Sequence, residues 1–317
     1  MIYRRHFLAA VGLFAIPVAC AKQQAFPIRP ITVRVAYPPG GSTDAEIRLL
    51  AELVGKHFGQ PVIVENHSGA GGTLAASGIV NMVPDGYTIA HAPISVFRLP
   101  HMQSTTWNPL RDFTYVTGIS GYLLGIGVRA DSPFKNWQDV ADYTRKYPGA
   151  VSYASVGVGS TQHLGMTELE RQTGLKFNHI PYKGGAETAR ALVAGEVMIV
   201  PDAISTLVGL GEKARILMQW TAQRSPTMPN VPTARELGID LALESPYGLV
   251  GPKGMPRDVV ETLADAFSKA LDDPRHLKLL ESIYQTVWHR TPDEYATYAR
   301  QTFERERILL HNAGLIN

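Results

Sequence analysis

Two stretches of the chain set residues capable of binding chemistry in the same order: an apolar strand, a glycine-rich turn, a few hydroxyls, then a helix. In the first, residues 31–37 run into Pro38, Pro39, Gly40, Gly41, Ser42, Thr43 and Asp44, and a helical pattern begins at Ala45. In the second, residues 151–155 end in Ser155 and run into Gly157, Val158, Gly159, Ser160 and Thr161, with His163 one turn into the next helix. Glycine lets the backbone come close to a ligand, and the first N–H groups of a helix have no partner within it. Two such helix starts in one chain suit an anion held between them. A third junction, Gly184 and Gly185 after Tyr182 and Lys183, opens another helix.

Each motif also has a plainer reading. Thr43 to Glu46 fits a capping box, in which Thr43 accepts from the Glu46 N–H and the Glu46 carboxylate reaches back. That accounts for the helix start but not for two prolines and two glycines before it. Asp44 and Glu46 place negative charge where an anion would sit, so recognition there has to come from backbone groups and the hydroxyls of Ser42 and Thr43. His163 is either a third donor in the second loop or a packed histidine.

Enzymatic alternatives fail on spacing. Residues 69–74 begin like a dinucleotide fingerprint but end on Leu74, and no phosphate-binding P-loop occurs. Gly157 to Ser160 lacks the glycine that a nucleophile elbow needs two residues after its serine. The ten histidines contain no HExxH pair and no zinc-ligand spacing. A hydrolase using Ser160 and His163 is carried as the enzymatic alternative.

The elements that must position these loops alternate. Strand-like runs at 31–37, 61–65, 87–91, 151–155, 176–181, 197–200, 214–220 and 247–251 are interleaved with helical patterns at 43–58, 72–82, 162–173, 186–194, 257–272 and 292–312. Such alternation predicts an α/β fold with parallel layers. Pro292 after Thr291, followed by Asp293 and Glu294, is a strong helix start. Two strand-like passages, 122–128 and 244–252, would carry the chain across to a second lobe and back, leaving a ligand cleft between the lobes. The expected division is 1–21 as an export signal, 26–123 plus 245–317 as one lobe, and 124–244 as the other.

At 317 residues and 45% hydrophobic composition, the chain can bury full cores. Arg4 and Arg5 before an apolar run over residues 7–19 resemble a twin-arginine export signal, with Sec export as the alternative. Cys20, the one cysteine, reads either as part of a cleavage site or as a lipid anchor, and leaves no pair for a disulfide. The two signal arginines supply the formal charge of +2, so that without residues 1–21 basic and acidic groups balance at 28 each. No basic stripe suggests nucleic acid, and no later apolar run reaches membrane-spanning length.

The residues also resemble a family. Pro27, Arg29, Pro30 and Ile31; Pro38, Gly40, Gly41, Asp44 and Arg48; Glu65, Asn66 and Gly69 to Gly72; and Pro84 to Thr88 are similar to the N-terminal half of the Bug (TctC-like) receptors of tripartite tricarboxylate transporters. In the second half, Tyr153 to His163, Pro181 to Gly184, Ala194 to Glu196, Pro229 to Thr233 and Thr291 to Glu294 agree. The resemblance implies a two-lobed type II periplasmic-binding-protein fold. It implies an exported, non-catalytic protein that closes on a small carboxylated solute and hands it to membrane permease subunits. A sensory receptor that presents the solute to a signalling partner is the runner-up. In the family the ligand's near carboxylate is held by the loops that carry Gly41, Ser42 and Thr43 here, and Ser155, Gly159, Ser160 and Thr161. The expected solute-contacting set is Gly40, Gly41, Ser42, Thr43, Asp44, Ser95, Ser155, Gly157, Gly159, Ser160, Thr161, His163, Tyr182, Gly184 and Asp202. No metal and no cofactor are expected, and the protein is expected to be a monomer. Residues 93–98, Asp202 and Tyr247 stand where this chain departs from the family or where the family varies. Of these, Arg98 is read as pairing with the protein surface in preference to a second carboxylate, and Asp202 as a candidate acceptor for a solute ammonium or hydroxyl.

Overall fold

The computed structural model describes residues 26–182, 184–243 and 245–317, so the segment expected to be an export signal, Cys20 and Lys183 lie outside the described residues. The chain builds β1 (Ile31–Val35), α1 (Ser42–Phe58), β2 (Val62–Asn66), α2 (Leu74–Ser77), β3 (Thr88–Ala92), α3 (Ser95–Met102), α4 (Pro109–Asp112) and β4 (Phe113–Tyr122). It then crosses to β5 (Leu124–Arg129), α5 (Trp137–Lys146), β6 (Ser152–Ser155), α6 (Thr161–Thr173), β7 (Asn178–Pro181), α7 (Gly185–Ala194), β8 (Ile199–Ala203), α8 (Ile204–Val208) and β9 (Ala214–Gln219). It returns as β10 (Ser245–Pro252), α9 (Arg257–Leu271), α10 (Pro274–Ser282), β11 (Gln285–Arg290) and α11 (Pro292–Asn312).

The strands form two sheets, ordered β11-β4-β10-β3-β1-β2 and β7-β6-β8-β5-β9, so the first draws on both ends of the chain. β1 pairs in parallel with β2 and β3, and β6 with β7 and β8, while the crossing strands β4, β5 and β10 pair antiparallel with their neighbours. The passage expected at 122–128 is two strands, parted at Leu123 between the sheets. Helix α1 buries Ile47, Leu50, Ala51 and Val54, a stripe at helical spacing that packs on β1. Around α6, Met166 and Leu169 close the second core against Ile126, Tyr153 and Trp220.

Several elements differ from expectation. The helix expected at 72–82 shrinks to α2, bounded by glycines and turns. The short helices α3 and α5 and the strand β11 are additions to the expected elements. Thr291 and Glu294 form the capping box that starts α11. The box expected at Thr43 does not form: Gly41 is the N-cap, Thr43 Oγ1 bonds the Tyr122 hydroxyl, and Glu46 turns inward.

Glu46 is fully buried and sits beneath the start of α1. Its Oε1 accepts from His276 Nε2 at 2.9 Å, and its Oε2 accepts from Ser120 Oγ at 2.9 Å and from the Tyr247 hydroxyl. His276 Nδ1 lies 2.8 Å from the Leu271 carbonyl, so both ring nitrogens face acceptors and both carry protons. Burial opposes that charge, but the bonds to Glu46 and Leu271 outweigh it, and the His276 pKa is raised. Gln285 carries the network on to Ser42 Oγ at 3.4 Å. One buried carboxylate thus ties α1, α10, β4 and β10 together.

Breaking this pair leaves a buried charge without its partner, so Glu46→Gln or His276→Gln is expected to cost about 3 kcal/mol in chemical denaturation. Because the folded pKa of His276 is raised, its contribution is fully present below the unfolded value and is lost as pH rises through the folded one. The wild type's margin over His276→Gln is therefore expected to be largest near about pH 5.5 and to shrink towards about pH 8.5; a margin that grows with pH would overturn the assignment. At Gly165, a methyl would press on Trp220 and lie 2.9 Å from Leu243. Gly165→Ala is expected to destabilise by about 1–3 kcal/mol, read from the denaturation midpoint.

Candidate functional site

The first glycine turn is shaped from within. Gly40 adopts φ 84°, and its N–H donates to Asp44 Oδ2 at 2.9 Å. Asp44 also accepts from Arg48 Nε at 3.0 Å and Asn66 Nδ2 at 2.7 Å, and these partners hold its pKa low although burial opposes them. Asp44, expected among the solute contacts, instead spends both oxygens holding the turn. No side chain caps the N-terminal N–H groups of α1, and the buried Thr43 hydroxyl bonds Tyr122 at the end of β4.

The second turn is built around a stack of three rings. His163 lies on His179, with centroids 4.1 Å apart and planes 12° apart, and His179 lies on Tyr153 at 4.8 Å. Ser155 Oγ is 2.7 Å from His179 Nε2 and accepts from the Gly157 N–H. Gly159 N–H donates to His163 Nδ1 at 3.1 Å, which leaves the imidazole proton on Nε2. Burial and the neighbouring His179 push the His163 pKa down to about 4, so the ring is neutral near pH 7 and offers a donor rather than a charge. Ser160 caps α6, its Oγ accepting from the His163 N–H at 3.2 Å. The two side chains of the hydrolase alternative therefore do not pair: Ser160 faces a backbone amide and His163 faces Gly159.

Tyr122, at the end of β4, borders the first turn. Its hydroxyl bonds Thr43, while burial and the nearby Tyr37, Glu46 and Asp202 raise its pKa well above the usual phenol value. Asp202 is buried at the end of β8, between Thr188 Oγ1 at 2.6 Å, Gln162 Nε2 at 3.3 Å and the Ala203 N–H at 2.7 Å. Burial raises its pKa despite those three donors. Gln162 links Asp202 to the first turn of α6. Tyr37, which follows β1, is pushed up to about 12 by burial, against the pull of the Arg98 charge nearby. Tyr37 and Asp202 thus lie near enough to Tyr122 to shift its pKa, and Gln162 joins Asp202 to the start of α6.

Arg98 corrects an expectation. It is 4% exposed, and instead of meeting the protein surface it pairs with Glu306 on α11 and donates from Nη1 to Thr161 Oγ1 at 2.7 Å. Ser95, one turn earlier on α3, has a buried hydroxyl with no hydrogen-bond partner. The Tyr182 hydroxyl bonds Glu196 at 3.2 Å, leaving the residue to join the turn through its N–H, which donates to the Ser155 carbonyl. Gly184 caps α7, whose Gly185 lies close to Asp202. Sequence reasoning missed Tyr37, Tyr122, Gln162 and His179. The signal available for the first two was their position at strand ends; Gln162 and His179 show nothing until their neighbours are known. Among the described residues no cluster of His, Cys, Asp and Glu could hold a metal.

Comparison with known proteins agrees over nearly the whole chain. The family model described as tripartite tricarboxylate transporter family receptor, TctC, matches residues 47–315. The UPF0065 protein in the gbd 5' region of Cupriavidus necator is 42% identical over 98% of each chain, and Protein BugT of Bordetella pertussis is 29% identical over 97% of each. Two solved structures superpose closely. MatC (Rpa3494) from Rhodopseudomonas palustris, with bound malate, gives a TM-score of 0.80 at 29% identity, covering 90% of this chain and 100% of that one. R. palustris Rpa4515, with adipate, gives 0.84 at 27% identity, covering 91% and 98%. With two sheets joined by crossing strands and a family model and relatives that match nearly its whole length, the chain belongs to the TctC, or Bug-like, family of two-lobed receptors.

Proposed function

We propose that this protein is an exported, non-catalytic receptor that closes on one small carboxylated solute and delivers it to membrane permease subunits. The observation that carries this reading is the pair of glycine-turn helix starts, α1 bonded to Tyr122 through Thr43 and α6 to Asp202 through Gln162, with Asp202 near enough to Tyr122 to raise its pKa. Each helix start offers N–H groups without a partner in their helix, and each dipole contributes about 0.3–1 kcal/mol to a nearby carboxylate. The malate bound to MatC and the adipate bound to Rpa4515 support a carboxylate as the guest. Gly41, Ser42 and Thr43 are the proposed grip from one side, and Gly157, Gly159, Ser160 and Thr161 from the other. Ser95, with its unpartnered hydroxyl, and Asp202 are proposed to read the far end of the solute. The lobes are taken as 26–123 with 245–317, and 124–244, hinged where the crossing strands pass between the sheets.

Raising a solute to a hundred times its Kd stabilises the folded state by about 2.7 kcal/mol. In a thermal-shift screen of the purified protein against malate, adipate and a panel of organic acids and amino acids, at least one carboxylate is expected to raise Tm by several degrees and to be recovered unchanged. A screen in which only neutral compounds shift Tm would defeat the anion reading, and turnover of the bound compound would defeat the receptor reading. Thr43→Val and Ser160→Trp are each expected to weaken that carboxylate on the order of tenfold by calorimetry, as removing or blocking a charge-assisted donor would.

A further inference from the structure

The two lobes meet through a contact between Arg98 on α3 and Thr161 at the start of α6. Arg98 on α3 and Glu306 on α11 belong to the layer packed on the first sheet, and α6 belongs to the second. The ion pair is buried on both sides, 4% and 2% exposed, although the two residues are 208 apart in sequence. Arg305 lies 3.9 Å from the same Glu306, so this carboxylate answers two guanidinium groups. From that anchored position Arg98 sends Nη1 across to Thr161 Oγ1 at 2.7 Å, at the first residue of α6. The meeting is also flush in its packing. A Cβ at Gly159, just before α6, would stand 2.6 Å from the Met102 thioether on α3 and 4.0 Å from Leu310 on α11.

A guanidinium placed against the positive end of a helix is repelled by it, so the contact needs a compensating charge, and Glu306 supplies one. A buried arginine tolerates its place only while its donors are satisfied. If the lobes parted, Thr161 would leave and water would take its position on Arg98.

We propose that Arg98, held by Glu306, is a positioning residue that clasps the start of α6 to the first lobe and so sets the closed form of the protein before any solute arrives. The clasp fixes Thr161, one of the residues proposed to grip the carboxylate, from the opposite side of the cleft. At Gly159 a φ of 75° favours glycine, and a large side chain there would press on the Met102 end of α3. The inference rests on the two-lobed arrangement and not on what fills the cleft, so it survives a wrong solute class.

The test is small-angle scattering of the full chain, freed of bound solute by partial unfolding and dialysis. Thr161→Val keeps the ion pair and removes only the bond across the lobes. Gly159→Leu presses a side chain on Met102, and Arg98→Met removes the clasp itself. All three are expected to raise the radius of gyration of the solute-free protein above that of the wild type, with circular dichroism unchanged for Thr161→Val. A wild-type radius in both Thr161→Val and Gly159→Leu would overturn the proposal, whether or not Arg98→Met folds. Because no solute is present, the result stands apart from the carboxylate screen.

Discussion

The constraint on which much of this structure rests is the burial of one carboxylate, Glu46, beneath the start of α1. A charge removed from water must be met by donors, and here they come from three other elements: His276 on α10, Ser120 on β4 and Tyr247 on β10. Because each donor is fixed in its own element, the carboxylate locks helix, sheet and C-terminal segment in register. It also decides what the helix start can offer. With Glu46 turned inward, no side chain caps α1, and its terminal amides are left for other partners.

The two turns reach the same end by different physics. In the first, Asp44 is consumed by Gly40, Arg48 and Asn66, so the acidic residue stiffens the loop instead of repelling an anion with an unpaired charge. In the second, stacking of His163 on His179 and burial keep the imidazole neutral, and its Nδ1 pins Gly159. Both turns are hydrogen-bonded from within, polar and without a cation of their own. Such a surface suits one carboxylate met by backbone dipoles more than it suits a multiply charged phosphate. The charge in the region is carried instead by Arg98, which is balanced by Glu306 and reaches α6 from the other lobe.

Local order was legible where one element decides its own form. The apolar stripe of α1, the capping box of α11 and the strand–turn–helix junctions at 40–44 and 157–161 follow from spacing and glycine placement alone. Helix α3 was not legible, with Pro100 inside it, whereas α5 carries a local signal in its Asn136–Asp139 capping box and the buried stripe of Trp137, Val140, Ala141 and Thr144. The Thr43–Glu46 box was misread for a different reason. Its sequence satisfies the local rule, but a buried histidine 230 residues away competes for the glutamate and wins.

What the sequence by itself determined is the alternation of strands and helices, the two glycine turns, the balance of charge and the family to which the chain belongs. What only the tertiary structure decided is which polar groups are already spent. Asp44, Ser155, Ser160 and Asp202 all look available in the sequence, and all are engaged by partners near and far. Arg98, which reads as a surface cation, becomes buried because a helix from the C-terminus carries its counter-charge to it. The physical reason is the same in each case. Burial makes an unsatisfied polar group costly, so its final partner is chosen by whatever donor or acceptor the fold brings nearest, and sequence distance does not record that.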